Sequence, residues 1–210
     1  MKKIFLEPIN SLIKIDKTII SILLEDNKLY QLISLKMDEN IVYSVDDKPE
    51  KIDKKVLKIF NPFQININDT KIVKALYKKL ENIVRYKLNE KLNIVEKNFL
   101  SFMDELAIDE DVMLEYEQDV DVLKLFSAFG ISYKVSDNYL ENLVNYIKVY
   151  NELFNNSLVI SFGLLNLLSD DEILLLTKEL QFLDLNLIDI TYNSNHNIKD
   201  LIIDHDWCII

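Results

Sequence analysis

The chain reads as an α/β protein whose head is built from both ends of the sequence, with a helical excursion between them. Three observations predict this. Strand and helix patterns alternate in the first sixty and last fifty-five residues. A long amphipathic helix, uninterrupted by Gly or Pro, begins near Thr70. And 210 residues, 49% of them hydrophobic, suffice for one substantial core with an appendage and exclude a disordered acidic tail.

The N-terminal third reads as strands. Lys17 to Glu25 is a β-branched apolar run that ends at Glu25-Asp26-Asn27, the pattern of a buried strand. Residues 28–36 look helical. Ile41–Val45 and Val56–Phe60 are short strands separated by a charged loop from Asp46 to Lys55. Asn61-Pro62 and Asn66 to Asp69 are turn signals.

Asp69 is the predicted N-cap of a helix running from Thr70 to about Phe102. At about 100° per residue, Ile72, Val73, Leu76, Tyr77, Leu80, Ile83 and Val84 share one face. Lys71, Lys74, Lys78 and Arg85 share the other, as a basic stripe. At 1.5 Å per residue such a helix would be roughly 45 Å long, more than a core of this size needs, so it is expected to project. Further on, Val122–Phe129 is helix with Gly130 as its stop, and Asp137 opens a helix to about Asn155. Ser157–Phe162 is a strand, Asp170–Phe182 a helix, Leu187–Ile190 a strand and Trp207–Ile210 a last strand. Strand–helix–strand order there implies a parallel βαβ unit. The expected division is a head of residues 1–69 and 156–210 and a helical leg of 70–155.

Composition removes several function classes. Gly130 and Gly163 are the only glycines, too far apart for a phosphate-binding P-loop or a dinucleotide fingerprint. The single cysteine, Cys208, excludes an internal disulfide and a multi-cysteine metal site. No apolar run approaches the ~18 residues that span a bilayer, and the start lacks a secretory apolar region, so a soluble cytoplasmic protein without membrane contact is expected. The net charge of −11 argues at face value against nucleic acid. Its distribution argues otherwise: residues 48–97 carry net +7 and residues 98–210 net −16.

Four chemistries then compete. His205 lies three residues from Cys208, and His196 is nearby, but two ligands make neither a zinc site nor a nucleophilic triad. Asp26-Asn27-Lys28 after a strand, with Asp16 upstream, has the acidic–x–Lys form of a metal-dependent nuclease. The run Asp104 to Asp121 holds nine acidic residues in eighteen and no basic one, the oxygen-rich composition that calcium prefers. On a helix Glu115 with Asp119, and Glu117 with Asp121, would repel unless neutralised. It is no EF-hand, because Val120 stands where that loop requires Gly. The basic stripe fits phosphate tracking along duplex DNA, with little aromatic interleaving on its face for base stacking. An acidic module that binds only protein partners is the remaining alternative.

Several short motifs in order resemble one family: Glu7-Pro8-Ile9, Thr18-Ile19 leading to Leu24-Glu25-Asp26, Asn61-Pro62-Phe63 to Asn68, and Leu114-Glu115-Tyr116-Glu117. Leu125-Phe126 to Phe129-Gly130-Ile131, Leu158 to Phe162 with Leu168-Ser169-Asp170-Asp171-Glu172, and Asp204-x-Asp206-Trp207 continue the series. Together they make the chain similar to the Csn-two family of CRISPR adaptation proteins of subtype II-A, in its short form. The resemblance implies a P-loop-ATPase-like α/β head without a nucleotide site, an extended helical leg, and no catalytic activity. It also implies a ring-shaped homotetramer whose lysine-lined hole takes the ends of double-stranded DNA, Ca2+ near the hinge, and a role in spacer acquisition beside the CRISPR integrase and the effector nuclease. Carried over, Glu115 and Glu117 match the acidic motif, and Asp111 stands where relatives place a carboxylate. Met113 replaces an Asp of some relatives, and one residue is inserted after Glu117, leaving Asp109, Asp119 and Asp121 as alternative ligands. Lys51, Lys54 and Lys55 fall in the equivalent DNA-facing loop, with Lys71, Lys74, Lys78 and Arg85 on the helix face.

Overall fold

The apolar run after Thr18 becomes an inner strand of a parallel sheet. The computed structural model describes residues 1–108, 115, 117, 119–193 and 199–210. In chain order the head elements are β1 (Lys2–Leu6), β2 (Ser11–Lys14), β3 (Ile19–Leu24), α1 (Asn27–Leu35), α2 (Met37–Asn40), β4 (Ile41–Val45), β5 (Lys48–Glu50), α3 (Ile52–Lys55) and β6 (Val56–Ile59). Three helices follow, α4 (Thr70–Lys87), α5 (Asn89–Ile108) and α6 (Val122–Ala128). The chain then forms α7 (Tyr139–Phe154), β7 (Leu158–Phe162), α8 (Asp170–Phe182), β8 (Asn186–Thr191) and β9 (Leu201–Ile203).

Two compact units result, residues 1–67 with 135–210, and residues 68–134. In the first, five strands in the order β6-β7-β8-β3-β9 are parallel throughout. Every residue of β3 and β7 is buried, as a parallel sheet covered on both faces requires. The period of two sorts their side chains. Ile20, Ile22, Leu24, Leu158, Ile160, Phe162, Ile188 and Ile190 share a core with Leu29 and Ile33 of α1 and with the second sheet. Ile19, Val159 and Leu187 share the other core with Leu143 and Ile147 of α7 and Ile173, Leu176 and Leu180 of α8.

That second sheet is antiparallel, in the order β2-β1-β4-β5. It uses residues the sequence pattern left unassigned at 2–6 and 11–14, and part of the predicted charged loop. Three further corrections concern the helical excursion and the C-terminus. Helix α7 falls in the first unit rather than with residues 70–134, because Leu143 and Ile147 are fully buried against strands β6 and β7 and helix α8. The predicted helix from Thr70 to Phe102 is two helices, broken at Leu88 (φ −122°, ψ 19°). Hydrogen bonding passes through the break, since Leu88 N–H donates to Val84 and Leu92 N–H to Leu88. No strand forms at 207–210. Asp204 Oδ1 instead accepts from the N–H groups of Asp206 and Cys208, folding a turn whose Trp207 has φ +64° and which leaves a single Ile203–Ile209 bridge.

The second unit is helical. Asp69 caps α4, its Oδ1 accepting from Ile72 N–H at 2.8 Å. Tyr77 packs edge-on against Phe126 of α6 and donates its hydroxyl to the Phe126 carbonyl. Gly130, at φ +61°, ends α6 with its N–H on Ser127 and that of Ile131 on Phe126. Asn68 and Tyr133 exchange two hydrogen bonds where the chain enters and leaves this unit. Among the described residues no helix is long and apolar enough to cross a membrane.

Candidate functional site

The residues of the basic stripe lie exposed on α4, and Arg85 among them is paired. Lys71, Lys74 and Lys78 are exposed on α4, opposite Ile72 and Leu76, which are buried. Arg85 is exposed too, but its guanidinium pairs with Glu81 one turn back at 2.9 Å, which neutralises much of its charge. Lys51, Lys54 and Lys55 lie at α3 of the first unit, where the Lys51 carbonyl accepts from the N–H groups of Lys54 and Lys55. Lys51 and Lys54 are exposed, and Lys55 is half-buried. Beside them Lys58, which the sequence reading passed over, bridges Asp38 and Asp53 at 2.5 Å each. Its partial burial pulls the ammonium down, yet the two carboxylates hold it above the usual lysine range.

The acidic set does not converge among the described residues, which contain no group of three or more His, Cys, Asp or Glu placed to hold a metal. Glu115, Glu117 and Asp119 are exposed. Asp121 works as the N-cap of α6, its Oδ1 accepting from Leu123 and Lys124 N–H at 3.0 and 3.1 Å. Its other oxygen lies 3.7 Å from Lys124 Nζ. Asp109 and Asp111 lie outside the described residues. The carboxylates described here therefore do not by themselves fit a calcium ion. Glu117, Asp119 and Asp121 instead rim a cavity of ≈ 700 Å³ whose apolar wall is Val95, Phe99 and Met103 of α5 with Leu125 and Phe129.

The nuclease triplet comes apart. Asp26 caps α1 through Leu29 N–H at 2.7 Å, and that bond, aided by Trp207, holds its carboxyl below the usual range. Asp16 precedes β3 while Asp26 follows it, so six strand residues, about 20 Å, separate them. Asp16 lines a different cavity, of ≈ 470 Å³, with Lys14, Lys17 and Asp200. Lys28 is exposed, and its charge also helps hold the Asp26 carboxyl down.

A buried carboxylate appears where sequence reasoning had none. Asp189 of β8 is fully buried and accepts from Ser161 Oγ at 2.6 Å, Leu164 N–H at 2.9 Å and Leu165 N–H at 3.2 Å. It thereby pins the turn after β7. Burial pushes its carboxyl up to about 6 against those hydrogen bonds. The hydroxyl of Tyr139, which donates to the Pro62 carbonyl, is pushed up to about 12 by burial and then by the nearby Asp189.

A parallel sheet covered on both faces, an antiparallel sheet and a separate helical unit define a mixed α/β protein. The family model described as "CRISPR-associated protein (Cas_Csn2)" matches residues 33–207. The chain belongs to that CRISPR-associated family. Among solved structures, a putative ABC transporter (ATP-binding protein) from Pyrococcus furiosus is similar over 98% of this chain and 98% of its own, with 11% identity and a TM-score of 0.42. At that level of likeness nothing about ligand or activity passes from one to the other. Comparison with curated proteins gives no match.

Proposed function

We propose that this chain is a non-catalytic adaptation protein of a CRISPR system, binding the ends of double-stranded DNA during spacer acquisition. The observation that carries the reading is the row of Lys71, Lys74 and Lys78, exposed on α4 opposite its buried face, in a chain of this family. Lysines at one-turn spacing follow phosphates without reading sequence. Three per protomer make a weak site, and a ring-shaped homotetramer placing its rows around one duplex multiplies them. The head is proposed to be P-loop-ATPase-like in architecture, with nucleotide chemistry removed because its glycines cannot form the phosphate loop. The protein is proposed to act in the cytoplasm beside the CRISPR integrase and the effector nuclease. A Ca2+ requirement rests on the family resemblance and on the carboxylate density between Asp104 and Asp121.

The deciding experiment compares a linear duplex with closed circular DNA in a gel-shift series over salt. Preference for the linear form and a steep loss with salt, with log K falling by roughly 0.9 per phosphate neutralised for each tenfold rise in salt, are expected. Replacing Lys71, Lys74 and Lys78 together by Glu abolishes the shift while leaving the oligomer mass unchanged. Retention by that triple variant refutes the α4 stripe, and cleavage of the duplex with magnesium or manganese refutes the non-catalytic reading. Equal retention with and without chelator removes the calcium part alone.

A further inference from the structure

The carboxyl edge of the parallel sheet carries a row of aromatic rings, of which Phe162 and Tyr30 belong to the core and Phe60 and Tyr192 stand half out of it. Phe60 directly follows β6, Phe162 ends β7, Tyr192 directly follows β8, and Tyr30 lies on α1, the helix after β3. Phe60, Phe162 and Tyr192 thus stand at the ends of three neighbouring strands, and Tyr30 lies six residues beyond the end of a fourth. Phe60 lies parallel on Phe162, with ring centroids 5.5 Å apart and planes 10° apart. Tyr30 meets Phe162 edge-on at 6.0 Å and lies tilted by 49° against Tyr192 at 6.3 Å. Phe162 is buried beneath them, yet Phe60 is 51% exposed and Tyr192 47% exposed.

In open parallel sheets, ligands bind outside the carboxyl ends of the strands. The chemistry on offer there is specific. The four rings carry no formal charge, so they offer an anion no ion pair. A half-exposed ring already lying parallel on another presents a flat face on which a further flat ring continues the stack. Tyrosine hydroxyls at one side of the row add polar tips that an aliphatic side chain would leave unused. Nucleobases are flat, and each has a π-face that stacks on aromatic side chains regardless of sequence.

We propose that Phe60, supported by Phe162, Tyr30 and Tyr192, forms a stacking platform for an unpaired nucleobase at the end of a DNA duplex. The inference rests on the DNA-end reading and deepens it. It adds a contact for splayed bases that the lysines, which see only phosphate, cannot supply.

The test uses the full chain and two duplexes, one blunt and one with a short unpaired 3′ overhang carrying 5-iodouracil, which cross-links on irradiation to a ring stacked on it. Adducts mapped by mass spectrometry to Phe60 or Tyr192 are expected. Phe60→Ala is expected to weaken the overhang duplex about tenfold while leaving the blunt one unchanged, and Phe60→Trp to restore it. Tyr192→Ala, at a second exposed ring, repeats the measurement with Phe60 left on Phe162. Wild-type retention of the blunt duplex without adducts at either ring overturns the platform and leaves the DNA-end reading standing. So does an unchanged overhang-to-blunt ratio in both alanine variants, including the case where Phe60→Ala alters the oligomer mass and thereby assigns the rings to a protein interface. Retention of neither duplex overturns both readings.

Discussion

The two units spend their apolar residues differently. In the first, α8 buries Ile173, Leu176 and Leu180 and α7 buries Leu143 and Ile147, all against one face of the parallel sheet. In the second, none of the twenty residues of α5 is buried, while Val95, Phe99, Phe102 and Leu106 are about half exposed. Among the described residues of that unit, Ile72, Leu76 and Val122 are the buried hydrophobics. A unit that closes its own core holds a sheet edge in place. One that leaves apolar surface open has less packing energy to hold its helices and more surface to offer a partner.

The largest effect should therefore separate the units. Leu143→Ala removes a fully buried side chain and is expected to cost about 2–5 kcal/mol in urea unfolding. Val95→Ala, at a half-exposed position on α5, should change stability by less than about 0.5 kcal/mol. Similar losses at both positions would mean that the helical unit is packed as tightly as the head, and the contrast would fail.

The next effect belongs to the head alone. Asp189 holds its proton up to about pH 6, against an ordinary value of 3.8. Between those values the native state binds more protons than the unfolded chain, so stability falls as pH rises from about 4 to about 6 and levels off above. Two pKa units correspond to about 3 kcal/mol. Unfolding measured across that window should show the fall superposed on the gains from ordinary carboxylates, and Asp189→Asn should remove it. An identical pH profile in that variant would show that the hydrogen bonds from Ser161 and the following turn already offset the burial.

Where the signal was local, the sequence was informative. The buried run at 19–24 announced β3 because a parallel strand needs no alternation. Helix α8 has the bounds its pattern predicted, with Ser169 and Glu172 closing a capping box. The missed features arise from contacts made at a distance. Asp189 lies in an apolar strand and looks like any surface carboxylate until Ser161, twenty-eight residues earlier, is placed beside it. The aromatic row draws its members from three strand ends and a helix, so no spacing reveals it. The bend at Leu88 falls at neither Gly nor Pro, and β1 and β2 show too little alternation to stand out from charged turns. For the candidate site, composition located the basic and acidic stretches, but it could not say that Asp26 and Asp121 are already engaged as helix caps.

The smallest effect tests the charge bookkeeping of α4 itself. Sequence spacing placed Arg85 with the three lysines, and the structure pairs it with Glu81. A pair of this kind on an exposed helix contributes about 0.3–0.5 kcal/mol, so Glu81→Gln should barely shift the unfolding midpoint. Its consequence for DNA should be easier to see. Releasing Arg85 adds a cation to the face that carries Lys74 and Lys78, and each cation that meets a phosphate steepens the slope of log K against log salt by about 0.9. Tighter duplex binding with a steeper slope in Glu81→Gln would extend the stripe by about two further turns along α4. An unchanged slope would end the phosphate track at Lys78 and confine DNA to the N-terminal half of the helix.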